Sequence, residues 1–197
     1  MLVLGLMLST GNSRGQMYYN NGAIKADGQW QNGLKEGEWV FYYPSGQKSS
    51  TENYKRDQLH GNAIYYDAEG NVIGNEKWSN GVLEGKATYY YSNGGIEKTG
   101  FFENGVYEGV WAFYHSNGKL KREVIYKKGF LEGEWLYYNE NGVLIQKGLY
   151  AKGKETGRWQ FYNDDGRLEF EGSYLDGKRT GDWFKVTKKG KKKPLKY

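Results

Sequence analysis

The chain has 197 residues, no cysteine and two prolines, and aromatic side chains make up 17% of it. The absence of cysteine excludes disulfides, thiolate metal sites and thiol nucleophiles, and the composition is not that of a disordered chain. The formal net charge is +5, but seven lysines follow residue 184, and the remainder carries 21 basic and 23 acidic side chains. A near-neutral body with a basic end lacks the charge pattern of a nucleic-acid-binding face.

The N-terminus carries an apolar run, residues 2–8, that is too short to span a bilayer. The run has the length of a signal-peptide core, and Ser13 and Gly15 place small side chains where a cut before Gln16 needs them, although no basic residue precedes the run. We therefore expect residues 1–16 to be a signal-peptide remnant and the protein to be exported to the periplasm or the cell envelope. The alternative is a cytoplasmic protein whose apolar end packs on the first hairpin.

Glycine and aromatic residues recur along the chain at a fixed spacing of 24 residues. One glycine column reads Gly37, Gly61, Gly85, Gly109, Gly133, Gly157 and Gly181, and a second reads Gly22, Gly46, Gly70, Gly94, Gly118, Gly142 and Gly166. A tryptophan column, which we call the aromatic ladder, reads Trp39, Trp111, Trp135, Trp159 and Trp183 and is broken at Ala63 and Ala87. The sequence therefore predicts a repeat protein.

Each repeat is predicted to be a β-hairpin. In the unit that begins at Glu134, residues 134–138 and 143–150 have the aromatic and β-branched composition of strands, and residues 139–142 end in the Asn-Gly of a tight turn. Residues 128–133 would then connect one hairpin to the next. Since a lone hairpin is marginal in water, each must pack on its neighbours.

The predicted fold is all-β, an elongated array of about seven stacked antiparallel hairpins that form one twisted sheet over residues 17–186. One face of the sheet should bury the rings of the ladder. Four glycines share one phase of the repeat, and we expect their missing side chains to leave room for a neighbouring ring. These glycines are Gly28, Gly100, Gly148 and Gly172.

The segment 109–120, Gly-Val-Trp-Ala-Phe-Tyr-His-Ser-Asn-Gly-Lys-Leu, resembles the MORN repeat in its bacterial variant. The same pattern returns in the units at Gly37, Gly133 and Gly157, and the chain departs from it at Ala63, Ala87 and Asp57. The resemblance implies a right-handed, twisted sheet of stacked hairpins that scaffolds or binds partners. Many bacterial relatives are labelled YwqK-type antitoxins by similarity.

The gap in the ladder is the candidate site for a partner or a ligand. Two neighbouring units lack the Trp, and one interpretation is a shallow hollow bordered by aromatic side chains. The alternative interpretation is that Trp78, which is larger than the Tyr usual at its phase, fills the space. The candidate surface comprises Ala63, Tyr65, Trp78, Ala87 and Tyr89.

Other polar columns carry weaker signals. His60 and His115 fall in different phases, and we expect surface histidines and no metal site, since zinc needs three or four converging ligands. A glutamate column, Glu36, Glu84, Glu108 and Glu132, is either a carboxylate ladder for cations or, as we favour, a set of solvated loop residues beside lysines. Residues 187–197 form a basic tail that either stays solvated or makes weak contact with an anionic membrane or polymer.

No repeat carries a residue set that converges for catalysis, so we predict no enzyme, no catalytic residue and no cofactor. The expected function is that of a non-enzymatic binding or scaffold protein with a protein partner, in the bacterial envelope. The alternatives are an antitoxin or immunity-type inhibitor of a toxin, and an envelope accessory protein that binds carbohydrate or lipid. Open sheet edges also predict pairing into a homodimer.

Overall fold

The computed structural model describes residues 11–195, and it contains strands and turns but no helix within that range. The apolar run at residues 2–8 lies outside the described residues. The contacts divide the chain after Ala87 into two compact units, which we call the N-terminal unit (residues 11–87) and the C-terminal unit (residues 88–195). No helix in the described range is long and apolar enough to cross a membrane.

In the N-terminal unit, each strand pairs antiparallel with the next strand in the sequence, from the first pair to the sixth. The strands are β1 (Asn12–Tyr18), β2 (Ile24–Gln31), β3 (Leu34–Tyr42), β4 (Lys48–Lys55), β5 (Gln58–Tyr66), β6 (Val72–Ser79) and β7 (Val82–Leu83). A further strand, β8 (Gly85–Tyr90), contains the division between the units.

The C-terminal unit repeats this antiparallel order from its first complete strand to the end of the described chain. Its strands are β9 (Ile96–Glu103), β10 (Val106–Tyr114), β11 (Leu120–Lys127), β12 (Phe130–Tyr138), β13 (Leu144–Ala151), β14 (Lys154–Tyr162), β15 (Leu168–Leu175), β16 (Lys178–Val186) and β17 (Lys192–Pro194). The predicted all-β fold of antiparallel hairpins is thereby confirmed.

The described residues form 17 strands, which is more than seven hairpins supply. Two additional strands, β1 and β17, lie before and after the repeats, and one repeat strand is interrupted at Glu84 to give β7 and β8. Residues 192–194 of the basic tail therefore belong to the sheet and are not mobile, because they pair with β16.

An ion-pair cluster anchors β17. Lys192 Nζ lies 2.5 Å from Glu171 Oε1, and Arg158 donates to the other carboxylate oxygen of Glu171. The Glu171 side chain is 4% exposed, and the hydrogen bond from Lys192, followed by that from Arg158, holds the pKa of this carboxyl below its ordinary value. The cluster ties the basic end of the chain to β14 and β15.

The turn within each hairpin follows the prediction. At residues 139–142, Gly142 N–H donates to the Asn139 carbonyl over 2.9 Å, and Gly142 has a φ of 82°. Glycine adopts this left-handed conformation without steric cost. The second glycine column therefore marks these turns.

The connection between hairpins is shorter than predicted. Lys128 and Gly129 both have positive φ, 51° and 81°, and form a two-residue turn of the kind that matches the twist of the flanking strands. Phe130 already starts β12, so the predicted loop over residues 128–133 is wrong. Gly133, with φ of 85°, lies inside the strand where the pairing register with β11 shifts, so the first glycine column marks bulges.

Side chains at the turns hydrogen-bond to the next repeat. Tyr43 Oη donates to the Tyr66 carbonyl over 2.7 Å, and Tyr91 Oη donates to the Tyr114 carbonyl over 2.8 Å. His115 takes the same position, with Nε2 2.9 Å from the Tyr138 carbonyl, and is 9% exposed. The expectation of a surface histidine is therefore wrong for His115, because it replaces a Tyr in a buried contact between repeats.

The glutamate column makes a second contact of this type. The carboxylate of Glu108 accepts from the backbone N–H of Lys128 over 2.6 Å, and that of Glu132 accepts from the N–H of Lys152 over 2.9 Å. His60 Nδ1 lies 3.4 Å from the N–H of Asn80 in the equivalent position. These residues were expected to be solvated beside lysine side chains, but they bind the backbone of the next repeat at its two-residue turn.

Candidate binding surface

The tryptophans of the ladder lie directly on glycines of the preceding strand. A Cβ atom added to any of these glycines would come within 2.1–2.3 Å of the facing indole ring. The pairs are Gly28 with Trp39, Gly100 with Trp111, Gly148 with Trp159, and Gly172 with Trp183. The predicted role of this glycine phase is confirmed.

Each such ring is also held at its edge. Trp111 Nε1 donates to the Phe101 carbonyl over 2.9 Å, and the Phe102 ring meets Trp111 edge to face at 5.1 Å. Trp39 and Trp111 are 0% exposed. These rings are core and do not offer the exposed flat face on which a sugar would stack.

Trp135 is the exception in the ladder. Val124 stands at the phase of the glycine, is 2% exposed itself, and leaves Trp135 half-buried. Trp135 Nε1 therefore donates to the side chain of Gln146, at 3.2 Å, where three other ladder rings donate to a carbonyl of the preceding strand. A valine in place of glycine displaces the ring outward.

Both members of the pair change in the next two repeats of the N-terminal unit. Where the other repeats have a glycine and a tryptophan, these have Glu52 with Ala63 and Glu76 with Ala87. The two alanines are 0% and 1% exposed, so the hollow that the alanines predicted is not open to solvent. The compensation comes from the glutamates on the facing strand, in addition to Trp78, whose Nε1 donates to Glu76 Oε2 over 3.0 Å.

Hydroxyl groups surround the first of these carboxylates. Ser50 Oγ donates to Glu52 Oε1 over 2.7 Å, and Tyr54 Oη donates to Oε2 over 2.5 Å. Ala63 pairs in register with Glu52 on one side and with Glu76 on the other. The two glutamates thus flank one small residue on neighbouring strands.

The tyrosines of this region report a negative local potential. Burial raises the pKa of the Tyr65 hydroxyl, and the charges of Glu76 and then Glu52 raise it further. Burial and then the hydrogen bond to Glu52 likewise raise the pKa of Tyr54. Tyr65 and Trp78, both predicted for the candidate surface, are half-buried. They stay within reach of a partner, whereas Ala63 and Ala87 do not.

Basic side chains of the chain itself cover aromatic rings on the same face. In the N-terminal unit, Lys35 Nζ lies 4.6 Å from the centre of the Tyr54 ring and 5.1 Å from that of Trp39. In the C-terminal unit, Lys98 Nζ lies 4.5 Å from the ring of Tyr89, the remaining residue of the candidate surface. Cations over rings at these distances are attracted by the ring quadrupole.

The opposite face of the C-terminal unit carries a hollow of about 280 Å³. Its lining residues include Val110, Leu120, Ile125, Leu136 and Tyr138, with Glu123 and Glu134 among them. Sequence reasoning missed it, although its signal was present in the apolar residues that alternate with the ladder positions. Among residues 11–195, no three His, Asp or Glu side chains converge to hold a metal ion.

Two family models match the chain. The MORN repeat variant matches residues 35–56, 107–128, 131–152 and 155–176, and the MORN repeat matches residues 53–72 and 77–96. The chain belongs to the MORN-repeat family. The MORN-repeat segments 53–72 and 77–96 contain Ala63 and Ala87, whereas the segments of the variant contain four of the ladder tryptophans. The two forms of MORN repeat therefore follow the two forms of the residue pair.

No curated protein matches this MORN-repeat chain. Among solved structures, a crystal structure of TcdB2-TccC3 has 15% identity and a TM-score of 0.20 over 90% of this chain and 14% of that one. A Photorhabdus luminescens Tc holotoxin pore has 18% identity and a TM-score of 0.20 over 90% of this chain and 13% of that one. A porin-like protein from Bacteroides uniformis has 8% identity and a TM-score of 0.22 over 93% of this chain and 92% of that one. The chain spans less than a sixth of the first two proteins, and similarities this low bear on neither fold nor function.

Proposed function

We propose that this MORN-repeat protein is a non-enzymatic scaffold that binds another protein. Proteins built from MORN repeats are commonly binding scaffolds and are generally not catalytic. The supporting observation is the apolar patch around the hollow of the C-terminal unit, where Val110 is 52%, Ile125 48% and Leu149 44% exposed. Contiguous exposed apolar side chains rimmed by carboxylates are typical of a protein interaction surface.

Affinity capture from the native host tests this function. The full chain serves as bait beside Ile125→Lys, which places a charge in the apolar patch, and Leu175→Lys, which changes a 61% exposed leucine of the same unit outside the hollow. We expect one protein to be retained by the wild type and by Leu175→Lys and to be lost from Ile125→Lys. Capture of the same proteins by all three baits would refute binding through the patch.

We further propose that the protein acts in the bacterial envelope, on the support of the apolar run and the small residues before Gln16. A cut at that site would remove the part of β1 that pairs Asn12 with Gln31 and Gly15 with Gly28. N-terminal sequencing of the protein from its host tests this. A chain that retains residues 12–15 would contradict cleavage at this position.

A further inference from the structure

The two glutamates that replace ladder tryptophans lie in repeats that lack the ring-covering cations found elsewhere. The phase of Lys35 is occupied by Leu59 and Leu83 in the next two repeats. The phase that carries Lys98 in the C-terminal unit is occupied by Ser50 and Gly74. In these repeats the chain thus supplies carboxylates and rings without the basic side chains of its other repeats.

The first repeat shows how a basic side chain fits this face. The Lys35 ammonium group lies 4.6 Å from the Tyr54 ring, and the Tyr54 hydroxyl donates to Glu52. The aliphatic part of a lysine or arginine side chain can cover apolar rings while its charged end meets a polar group. A second cation on the far side of Glu52 would meet Tyr65, whose hydroxyl is influenced by both Glu52 and Glu76.

We propose that Glu52, Glu76, Tyr54, Tyr65 and Trp78 form a docking surface for a basic segment of a partner protein. We call these five residues the acidic aromatic surface. Arginine or lysine side chains of the segment would lie along the Tyr65 and Trp78 rings with their charged ends at the glutamates. Charge complementarity favours this occupant, because carboxylates bind guanidinium groups with two hydrogen bonds and rings add cation–π attraction. This inference rests on the proposed protein-binding function and specifies the chemistry of the partner.

The net charge of the chain sharpens the test. At +5, the whole protein repels a basic peptide, so binding requires a local negative surface. The probe is a ten-residue peptide of alternating arginine and serine, and the reference probe has glutamate in place of arginine. Isothermal titration with the full chain measures both. We expect the arginine peptide to bind more weakly as salt rises and the glutamate peptide not to bind.

The decisive variant is Glu52→Gln with Glu76→Gln, since glutamine retains an oxygen that accepts from Tyr54 and Trp78 while removing the charge. The matched control is Glu38→Gln with Glu69→Gln, which removes two charges from exposed positions of the same unit. We expect the first pair to lower the affinity for the arginine peptide about tenfold or more and the control to change it by about twofold or less. Equal effects of the two pairs would overturn the proposal.

Folding is checked by the urea midpoint of each variant. If the double glutamine variant unfolds, Glu52→Gly with Ala63→Trp removes one of the carboxylates by restoring the pair found in other repeats, and a peptide affinity unchanged in that variant would overturn the proposal. Calcium ions that bind at the glutamates and displace the peptide would overturn it as well, in favour of a metal site. A host protein retained equally by Glu52→Gln with Glu76→Gln but lost from Ile125→Lys would keep the scaffold function and refute this surface.

Discussion

Substitution of Gly100 by alanine tests whether the tryptophan ladder is held up by glycines. A Cβ atom at position 100 would lie 2.3 Å from Trp111 Cδ2, so the ring must move by about 1 Å to reach ordinary van der Waals distance. Overpacking of this kind costs about 1–3 kcal/mol. The displaced ring also loses the 2.9 Å hydrogen bond to the Phe101 carbonyl, which adds about 1 kcal/mol.

A double-mutant cycle with Trp111→Ala isolates this effect. Trp111 is 0% exposed, so its truncation alone should cost about 3–5 kcal/mol. In that background the alanine at position 100 has room, and it replaces a glycine that disfavours a strand interior by about 0.5–1 kcal/mol. Gly100→Ala should then be neutral or slightly stabilising, with a coupling energy of about 1–3 kcal/mol between the two sites.

Urea unfolding followed by far-UV circular dichroism measures all four proteins. Gly118→Ala is the control, because Gly118 has a φ of 81° and nothing within 4 Å of an added Cβ. Its cost arises from backbone strain and should be the same with and without Trp111. The reasoning fails if Gly100→Ala destabilises both backgrounds equally, or if Gly118→Ala couples to Trp111 as strongly as Gly100→Ala does.

Trp135→Ala should cost about 1–3 kcal/mol, less than Trp111→Ala, because Trp135 is half-buried over a valine; thermal unfolding compares the two. Ala63→Trp should destabilise by about 1–3 kcal/mol alone, because Glu52 occupies the space, and Glu52→Gly in the same chain should restore most of the loss in urea unfolding. Glu171→Gln should cost about 1–3 kcal/mol at pH 7. Since the folded-state pKa of Glu171 is lowered, the stability it contributes is present above the ordinary carboxyl pKa of about 4 and is lost as the pH falls through the folded value, so wild type and variant should converge at about pH 3 in acid titrations of urea unfolding.

Each of these predictions has a result that contradicts it. Equal losses for Trp135→Ala and Trp111→Ala would mean that burial does not set the cost. Recovery of Ala63→Trp by Glu38→Gln, a charge change on an exposed residue, would show that space is not the cause. A constant difference between wild type and Glu171→Gln from pH 7 to pH 3 would exclude the ion pairs as its source.

The parts of the fold that depend on local spacing were readable from the sequence. The phase of Gly148 predicted a ring on its missing side chain, because alternation along a strand and a fixed period place the same residue types together in every repeat. The turn glycines were predicted for the same reason. The connection at Lys128 was not, since a lysine in left-handed conformation gives no compositional signal and the six-residue stretch has glycines at both ends.

Contacts between repeats required the register. Glu52 and Ala63 are 11 residues apart, and only the pairing of β4 with β5 shows that they are neighbours across strands. The chain nevertheless carried the signal, because its repeats form an internal alignment in which positions 28 and 39 change together at 52 and 63. The hydrogen bond of His115 was hidden differently, since its acceptor is a backbone carbonyl in the next repeat.

The hydrogen bonds from turn side chains to a carbonyl 23 residues onward, and from the glutamate column to an N–H 20 residues onward, always point toward the C-terminus. Every module therefore completes its own bonding only when a successor is present, and it asks nothing of the successor's side chains beyond a backbone. Duplication or deletion of a whole 24-residue block would preserve every such bond, whereas an insertion of one residue would break two kinds at once. This asymmetry lets the length of the array change during evolution without new contacts having to be invented.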